Sequence, residues 1–522
     1  MKKKPKLLEE TKELFYKKGQ ELGTRKELLD YVWNVQFKRQ FGYSFSVNHT
    51  TPYSIIALQE MNLAYKYPKI FWNTACLTIN AGADEDNENN KTTNYGKIAK
   101  AISEIQKRGQ KMALPNINKA KFGFSPDLET DEIIFSLKGM CGIGDSIAKA
   151  IIDYRPYASL NDFIEKMEQY KSLSKENKMG NSAIIALIKA GCFDKLENKD
   201  RVEIMKDFIK KISNPKKSLG MEDIETLGEL DLLTQDQRAY ELRLYRFRKY
   251  ITDKKFFVRQ DGKSPNTAFY RLERNFAEPF FFEHFENNMV EGKDYEYDEQ
   301  GFIIVKRGSI DREFKKLTQD FKEKVLNNSK NLEAVNCKRF QDTWDDLIEG
   351  GISKWEMDSL SFYYTKHELA DIDYNKYLIS DFDDLPETPE VQEYRMFRGK
   401  EIPRFKLTRI CGTVLDKNKN KHMITLLTPS GVVNIKFYKG QFGFYDQQLS
   451  QINDDGTKTV LEKSWFSRGT KLLVTGYRRD DQFVPKKYKD SAYKHSLQLI
   501  KEINGSEIRL QNTRIGEEED EY

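Results

Sequence analysis

Apolar residues recur every three or four positions through most of the first 195 residues. This spacing places them on one face of a helix, and it is clearest in ELLDYVWNVQF (27–37), YSIIALQEMNLAYKY (53–67) and YGKIAKAISEIQKRG (95–109). A polar, Asn-rich stretch at 83–94 interrupts the pattern and indicates a surface loop. The N-terminal part of the chain is therefore predicted to be mainly helical.

From about residue 405 the pattern changes to alternating apolar and polar residues with many β-branched side chains. It is visible in LTRICGTVLD (407–416), HMITLLTPSG (422–431), VVNIKFYKG (432–440) and TKLLVTGYRR (470–479). About five short strands separated by Gly, Asn and Asp turns predict a small closed β-barrel of the oligonucleotide-binding (OB) type. An unrelated β-sandwich is the alternative. Between the two halves, residues 197–350 mix helical pieces with extended aromatic segments, and their periodicity indicates no function.

Composition narrows the class of protein. At 522 residues the chain is long enough for several domains. Basic and acidic residues nearly balance, 86 against 81, so the net charge of +5 does not by itself indicate a partner. The five cysteines stand far apart without a CxxC pair, and no apolar run approaches the length of a membrane span. We therefore expect a cytoplasmic protein with no metal site on this chain and no membrane partner.

The segment LKGMCGIGDSIAKAIIDYR (137–155) places three glycines immediately before a helical pattern. Glycine allows a sharp turn and close approach of a ligand, and the N–H groups at the start of the next helix suit a phosphate. This is a helix-hairpin-helix pattern, which predicts sequence-independent, salt-sensitive binding of duplex DNA. A hairpin used only for packing is the alternative. The predicted DNA-binding residues are Gly142, Ile143, Gly144, Asp145, Ser146, Lys138, Lys149 and Arg155.

Several further stretches occur in a fixed order. They are FGYSFSVNHTTPYSIIALQEMNLAYKYPKIFWNTACL (41–77), LPNINKAKFGFSPD (114–127), YRPYASLNDFIEKM (154–167), AIIALIKAGCFDKL (183–196) and WEMDSLSFYYTKHEL (355–369). Together they resemble the C-terminal half of a bacterial replicative DNA polymerase III alpha subunit, a C-family DNA polymerase, over residues 1–200 and 350–500. The resemblance implies a multi-domain α+β protein, with helical fingers and a helix-hairpin-helix region followed by a C-terminal OB barrel. It would act in the cytoplasm of a bacterial cell or a phage-infected host.

The resemblance also divides the chain. The predicted parts are the C-terminal part of the fingers (1–112), a tandem helix-hairpin-helix domain (113–200), an unassigned insertion or linker (201–350), a connector (351–404), the OB barrel (405–505) and an acidic tail (506–522).

Each predicted part implies binding residues. In the fingers, His49 matches a position that reaches the phosphates of the incoming dNTP; a histidine that only caps or packs a helix is the alternative. Lys38 or Arg39 would replace the lysine that the family has where this chain has Val47. In the barrel, aromatic and basic residues lie together as in single-strand binding proteins, although alternation turns about half of the aromatic residues into the core. The predicted single-strand binding residues are Lys436, Phe437, Tyr438, Lys439, Arg478 and Arg479. Loose matches to a sliding-clamp peptide at 237–247 and 392–397 are left unassigned.

Catalytic residues are not expected on this chain. In the family, palm aspartates that precede the fingers hold two Mg²⁺ ions, and this chain starts where the fingers start. The acidic residues near 371–384 are interpreted as solvated loop carboxylates. The resemblance therefore predicts half of a split polymerase, with the palm and the Mg²⁺ ligands on a partner chain. Alternatives are a stand-alone DNA-binding replication accessory protein and a decayed gene remnant; intact apolar periodicity argues against the remnant.

Overall fold

The computed structural model describes residues 5–38, 47–81, 95–173, 179–397, 399–453 and 456–516. Its buried apolar side chains form three large clusters, in a helical unit, in a central domain and in a C-terminal barrel. No helix in these ranges combines the length and the apolar character needed to cross a membrane. The predicted α+β class, with a helix-hairpin-helix region and an OB-type barrel, is confirmed.

In the described ranges before the glycine turn there are five α-helices. They are α1 (Pro5–Glu21), α2 (Lys26–Tyr31), α3 (Val47–Lys66), α4 (Lys69–Ala81) and α5 (Tyr95–Lys107). A π-helical turn (Val32–Phe37) continues α2 and packs Trp33 against Phe15 of α1, with 5.4 Å between ring centroids. Helices α4 and α5 contribute Ile70 and Ile102 to the same cluster as the hairpins, so no separate core marks the predicted boundary at 112.

The hairpin region continues this helical unit. Its elements are β1 (Lys111–Ala113), β2 (Ser125–Asp127), β3 (Glu132–Ile134), α6 (Asp145–Asp153), α7 (Leu160–Leu173), α8 (Asn181–Lys189), α9 (Asp194–Glu197) and α10 (Arg201–Ile212). The three strands form a small sheet in the order β1-β3-β2. Because α10 buries Met205 and Phe208 in the cluster of the hairpins, the unit extends beyond the predicted boundary at 200.

Residues 219–335 form a domain with its own core. Its elements are α11 (Ile224–Glu229), α12 (Gln235–Ile251), β4 (Phe257–Gln260), β5 (Ala268–Arg271), α13 (Ala277–His284), β6 (Tyr295–Tyr297), β7 (Ile303–Lys306), α14 (Arg307–Leu317), α15 (Gln319–Phe321) and α16 (Ser329–Leu347). The strands pair antiparallel in the order β4-β5-β7-β6. The side chain of Asn336 on α16 exchanges hydrogen bonds of 2.7 and 3.0 Å with the backbone of Lys216. The segment that the sequence left unassigned is thus folded.

A connector joins these units to the barrel. It contains α17 (Ile352–Leu360), α18 (Tyr374–Tyr377) and a hairpin of β8 (Val391–Phe397) and β9 (Lys400–Phe405). Helix α17 buries Trp355 and Leu360 in the cluster of the hairpins. Its Glu356 is fully buried and accepts hydrogen bonds from the backbone N–H groups of Tyr364 and Thr365. The connector is therefore part of the packed structure.

The C-terminal sheet closes on itself. Its elements are β10 (Thr408–Asn418), β11 (Met423–Thr428), β12 (Gly431–Lys436), α19 (Lys439–Asp446), β13 (Leu449–Ile452), β14 (Lys458–Glu462), β15 (Lys471–Arg479), β16 (Gln482–Pro485), β17 (Leu497–Asn504) and β18 (Glu507–Gln511). Strands β10-β11-β12-β16-β15 are neighbours in that order, and β15 pairs back onto β10. This is the five-stranded OB arrangement. Strand β18 lies inside the predicted acidic tail, so that tail begins too early by at least the length of this strand.

Candidate nucleic-acid interface

The first hairpin presents its backbone to solvent. Gly142 is exposed at φ +83°, a left-handed conformation that glycine adopts without strain. Ile143 is 4% exposed and packs into the core, which anchors the turn from within. Gly144 caps α6 at φ −78° and ψ 166° with no side-chain hydrogen bond to the first turn. The main-chain N–H groups at the start of α6 are thereby arranged to receive an anion.

A second hairpin repeats this arrangement. Gly180 caps α8 at φ −89° and ψ 169°, again without a side-chain cap. Gly142 faces this helix, since a Cβ built on it would lie 3.7 Å from the Cβ of Ala186. The site prediction omitted this second turn. The signal was present in the sequence, because Gly-Asp-Ser at 144–146 and Gly-Asn-Ser at 180–182 each contain the capping glycine and the first two residues of a nine-residue helix.

The three cations predicted beside the first hairpin differ in their surroundings. Lys138 forms an ion pair with Asp145, which offsets its charge. Arg155 donates to the backbone carbonyls of Ile117 at 2.7 Å and Ala120 at 2.5 Å, and burial lowers its pKa. Its guanidinium holds the β1–β2 connection in place, so we remove Arg155 from the predicted DNA contacts. Lys149 is exposed on α6.

In the barrel, the predicted single-strand residues divide into surface and core. Tyr438 is 64% exposed and Lys439 is exposed at the start of α19. Phe437 is only 3% exposed, and its ring centroid lies 4.8 Å from that of Phe466 in the core. Its ring therefore cannot stack on a base, and this part of the prediction is wrong. The Lys436 ammonium donates to the backbone carbonyl of Lys421 in the β10–β11 turn.

The two predicted arginines of β15 also differ in their surroundings. Arg478 donates to the carbonyls of Phe382, Asp383 and Leu385, at 2.8–3.3 Å. Its guanidinium lies 4.5 Å from the Phe382 ring centroid, so Arg478 fixes the connector to the barrel and is removed from the predicted single-strand contacts. Arg479 is exposed.

Part of the outer face of β10–β12 is covered by the rest of the chain. Leu415 and Leu427 pack in one buried cluster with Ala99 of α5 and Met357 of α17. His367 adds a hydrogen bond of 3.0 Å to the carbonyl of Leu427. This packing covers the part of the face that contains these two leucines.

The predicted nucleotide-binding residues lie around α3. His49 is exposed on the first turn of α3, and Lys38 is exposed at the end of the π-helical turn. Arg39 lies outside the described residues. No residue of α3 is buried. Its exposed apolar side chains are Val47, Tyr53, Ile55, Ile56, Leu58, Met61, Leu63 and Tyr65.

The acidic residues of the connector have structural partners. Asp371 pairs with Lys366 at 2.5 Å, Asp383 pairs with Lys107 at 2.5 Å, and Asp373 caps α18. Among the described residues, no three His, Cys, Asp or Glu side chains come together in a group that could hold a metal ion. Of the two loose clamp-peptide matches, 237–247 lies in α12 with Leu244 and Phe247 buried, and 392–397 lies in β8.

Several known proteins are similar to this chain. Residues 109–204 match a family model described as a helix-hairpin-helix motif. The chain is 45% identical over 502 residues to the probable DNA polymerase YorL of Bacillus subtilis and, to the same extent, to a DNA-directed DNA polymerase of Bacillus phage SPbeta. It is also 28% identical over 222 residues to the DNA polymerase III subunit alpha of Aquifex aeolicus, covering 42% of this chain and 17% of that protein.

The chain is similar to DNA polymerases, among them the alpha subunit of DNA polymerase III. This confirms the resemblance inferred from the ordered motifs. The match to the two Bacillus and phage polymerases covers 95% of this chain but only 37% of each of those proteins. The central domain therefore falls within a region that is largely shared with them.

Proposed function

We propose that this chain is the nucleic-acid-binding portion of a DNA polymerase of the polymerase III alpha type, and that it acts with a separate polypeptide that carries the palm. The observation that carries the polymerase part of the proposal is the 45% identity to two DNA polymerases over 95% of this chain. The match to the helix-hairpin-helix motif supports the DNA-binding part of the proposal.

In this proposal the two hairpins bind the backbone of the product duplex. Gly144 and Gly180 cap α6 and α8 without side-chain hydrogen bonds, so main-chain N–H groups would receive the phosphates. Contacts to phosphates do not depend on base sequence and weaken as salt rises. A polymerase needs this kind of contact, because it must hold every product sequence as synthesis advances.

The open end of the barrel is proposed to hold the single-stranded template. The exposed ring of Tyr438 offers a surface on which a base can stack, and Lys439 beside it can pair with a phosphate. The coverage of Leu415 and Leu427 by α5 and α17 confines this site to one end of the strand face.

Helix α3 is proposed to bind the incoming dNTP and to pack against the palm polypeptide. His49, Lys38 and Arg39 would contact the nucleotide phosphates. The exposed apolar side chains of α3 support a protein contact, since large exposed apolar patches mark interaction sites.

The resemblance implies two Mg²⁺ ions on palm carboxylates, which activate the primer 3′-hydroxyl when bound. The described residues of this chain include no group of acidic, His or Cys side chains that fits such an ion. We assign the Mg²⁺ ligands to the palm polypeptide and route no step through a metal on this chain.

The test is reconstitution with a polypeptide that carries the palm region. Size-exclusion chromatography should show a complex, and primer extension should require both chains. Met61→Glu on α3 should weaken the complex, whereas Gln59→Glu, an exposed polar position with the same added charge, should not. No complex, or extension that is unaffected by this chain, would contradict the proposal. DNA binding without any effect on extension would support the stand-alone accessory protein instead.

A further inference from the structure

We propose that Arg468, a residue of the barrel, is a phosphate-binding residue of the duplex site at the first hairpin. Arg468 lies in the turn between β14 and β15. Its Nη1 is 2.7 Å from the Sγ of Cys141, the residue immediately before Gly142. The barrel therefore delivers a guanidinium to the exposed glycine turn. The inference rests on the proposed function, because it takes the hairpin to bind duplex DNA.

The position of this guanidinium is also fixed by contacts to the end of α17 and to Tyr95. Its Nη2 donates to the carbonyl of Met357 at 3.1 Å and to the hydroxyl of Ser361 at 2.5 Å, with a longer contact of 3.4 Å to the carbonyl of Asp358. The group also lies over the ring of Tyr95, 4.6 Å from its centroid. These contacts limit the orientations that Arg468 can adopt, so it is already placed before a ligand binds.

The turn is held by the same end of α17. The backbone N–H of Cys141 donates to the carbonyl of Ser359 at 2.8 Å. Arg468 and the glycine turn are therefore both hydrogen-bonded to the end of α17 and the residues that follow it. These residues set the distance between the guanidinium and the turn. A phosphate docked on the turn would lie beside a cation whose position the fold determines.

The charge of Arg468 is not offset by these contacts. Its partners, three carbonyls or hydroxyls, one thiol and one aromatic ring, are all neutral. The side chain is exposed, and within the described ranges these contacts use Nη1 and Nη2 and leave Nε–H without an acceptor. By contrast, Lys138 is paired with Asp145, and Arg155 is only partly exposed. Arg468 thus adds an exposed cation to the hairpin in addition to Lys149, and a guanidinium suits the oxygens of a phosphate.

The test measures how salt affects duplex binding by the full chain. Fluorescence anisotropy would follow a labelled blunt duplex over a range of salt concentrations, for wild type, Arg468→Gln, Arg468→Lys and the control Arg509→Gln. Arg509 is an exposed arginine of β18 paired with Glu502, so its loss removes the same charge at a different place on the barrel. Thermal unfolding of each variant would confirm that it is folded.

Arg468→Gln should lower duplex affinity about tenfold at low salt, as expected for one charged hydrogen bond. It should also reduce the slope of log affinity against log salt by about 0.9, the loss of one phosphate contact. Arg468→Lys should keep the slope, and Arg509→Gln should match wild type. An unchanged slope for Arg468→Gln would overturn the assignment, whether or not affinity falls, because a residue that only shapes the turn releases no counterion. Absence of duplex binding by wild type would overturn the proposed function as well.

Discussion

The Nη1 of Arg201 lies 3.2 Å from the Oε1 of Glu356, and both side chains are almost completely buried, at 6% and 0% exposure. This ion pair joins the first turn of α10 to the middle of α17, although the two residues are 155 positions apart. Arg201 also pairs with Asp194 at 2.8 Å, and Glu356 accepts two backbone N–H groups. The pair therefore links the hairpin unit to the connector.

Removing one partner of this pair should destabilise the protein strongly. Glu356→Ala leaves the Arg201 guanidinium buried without its inner partner, and such losses cost about 3–5 kcal/mol. Urea denaturation would measure the change in the free energy of unfolding. Asp207→Ala, which breaks an exposed ion pair with Lys199, should change it by no more than about 0.5 kcal/mol. Equal effects of the two substitutions would contradict this account of the buried pair.

His367 should make stability depend on pH. Burial lowers its pKa to about 4, with Lys471 adding to the shift. Its Nδ1 accepts from the N–H of Leu369, so the neutral ring donates through Nε2 to the carbonyl of Leu427. Because the unfolded chain takes up the proton near its ordinary pKa of about 6.5, the free energy of unfolding should fall as pH decreases from about 6.5 to about 4.

The control for this prediction is His367→Gln. The variant lacks the titrating group, so its free energy of unfolding should fall less steeply than that of wild type over the same interval. Chemical denaturation at several pH values between 4 and 7.5 would compare the two slopes. Parallel slopes would show that His367 is not the group responsible.

Glu241 should make stability depend on pH in the direction opposite to His367. It is 7% exposed in the core of the central domain, and burial raises its pKa to about 7. The folded chain then holds a proton that the unfolded chain releases near 4.5, so stability should fall as pH rises from about 4.5 to about 7. Glu241→Gln should therefore unfold at higher denaturant than wild type at pH 8 but not at pH 4. The exposed Glu299→Gln should show no such difference.

Alanine substitutions at the two hairpin glycines should have different effects on stability and on DNA binding. A Cβ built on Gly144 meets no atom within 4 Å, and its φ of −78° suits any residue. Gly144→Ala should therefore leave the melting temperature unchanged while it weakens duplex binding, because the methyl group occupies the space where a phosphate approaches the backbone. Gly142→Ala should lower both, since its φ of +83° strains alanine by about 1–2 kcal/mol. Unchanged duplex affinity for Gly144→Ala would remove this turn from the binding surface.

Two neighbouring aromatic residues of the barrel should behave differently. Tyr438→Ala should weaken binding of a single-stranded oligonucleotide by about 1–3 kcal/mol without loss of stability, because its ring is exposed. Phe437→Ala should lower the free energy of unfolding by about 3–5 kcal/mol, because its ring is in the core. Anisotropy titration and chemical denaturation of both variants would check the pair. A large loss of stability in Tyr438→Ala would contradict its place on the surface.

Local sequence patterns predicted the turns and strands well. They did not predict every hydrogen-bond partner of the side chains. The glycines at 142 and 144 and the period-two segments after 405 appear in the structure as the expected turn and strands. Arg155 and Arg478 stood next to predicted sites in the sequence, yet both donate to backbone carbonyls of other segments. The central domain was not predicted, because its strands are only three or four residues long and give little periodicity.

The sequence by itself determined where the hairpins and the barrel strands lie. Helix periodicity, strand alternation and the conformational freedom of glycine act between neighbours in the chain, so they can be read from order alone. Only the tertiary structure decided which cations are paired or hydrogen-bonded within the protein. Arg468 and Cys141 are 327 positions apart and meet because α5 and α17 pack against the barrel. Whether a charge is available depends on distances in space, which local patterns do not specify.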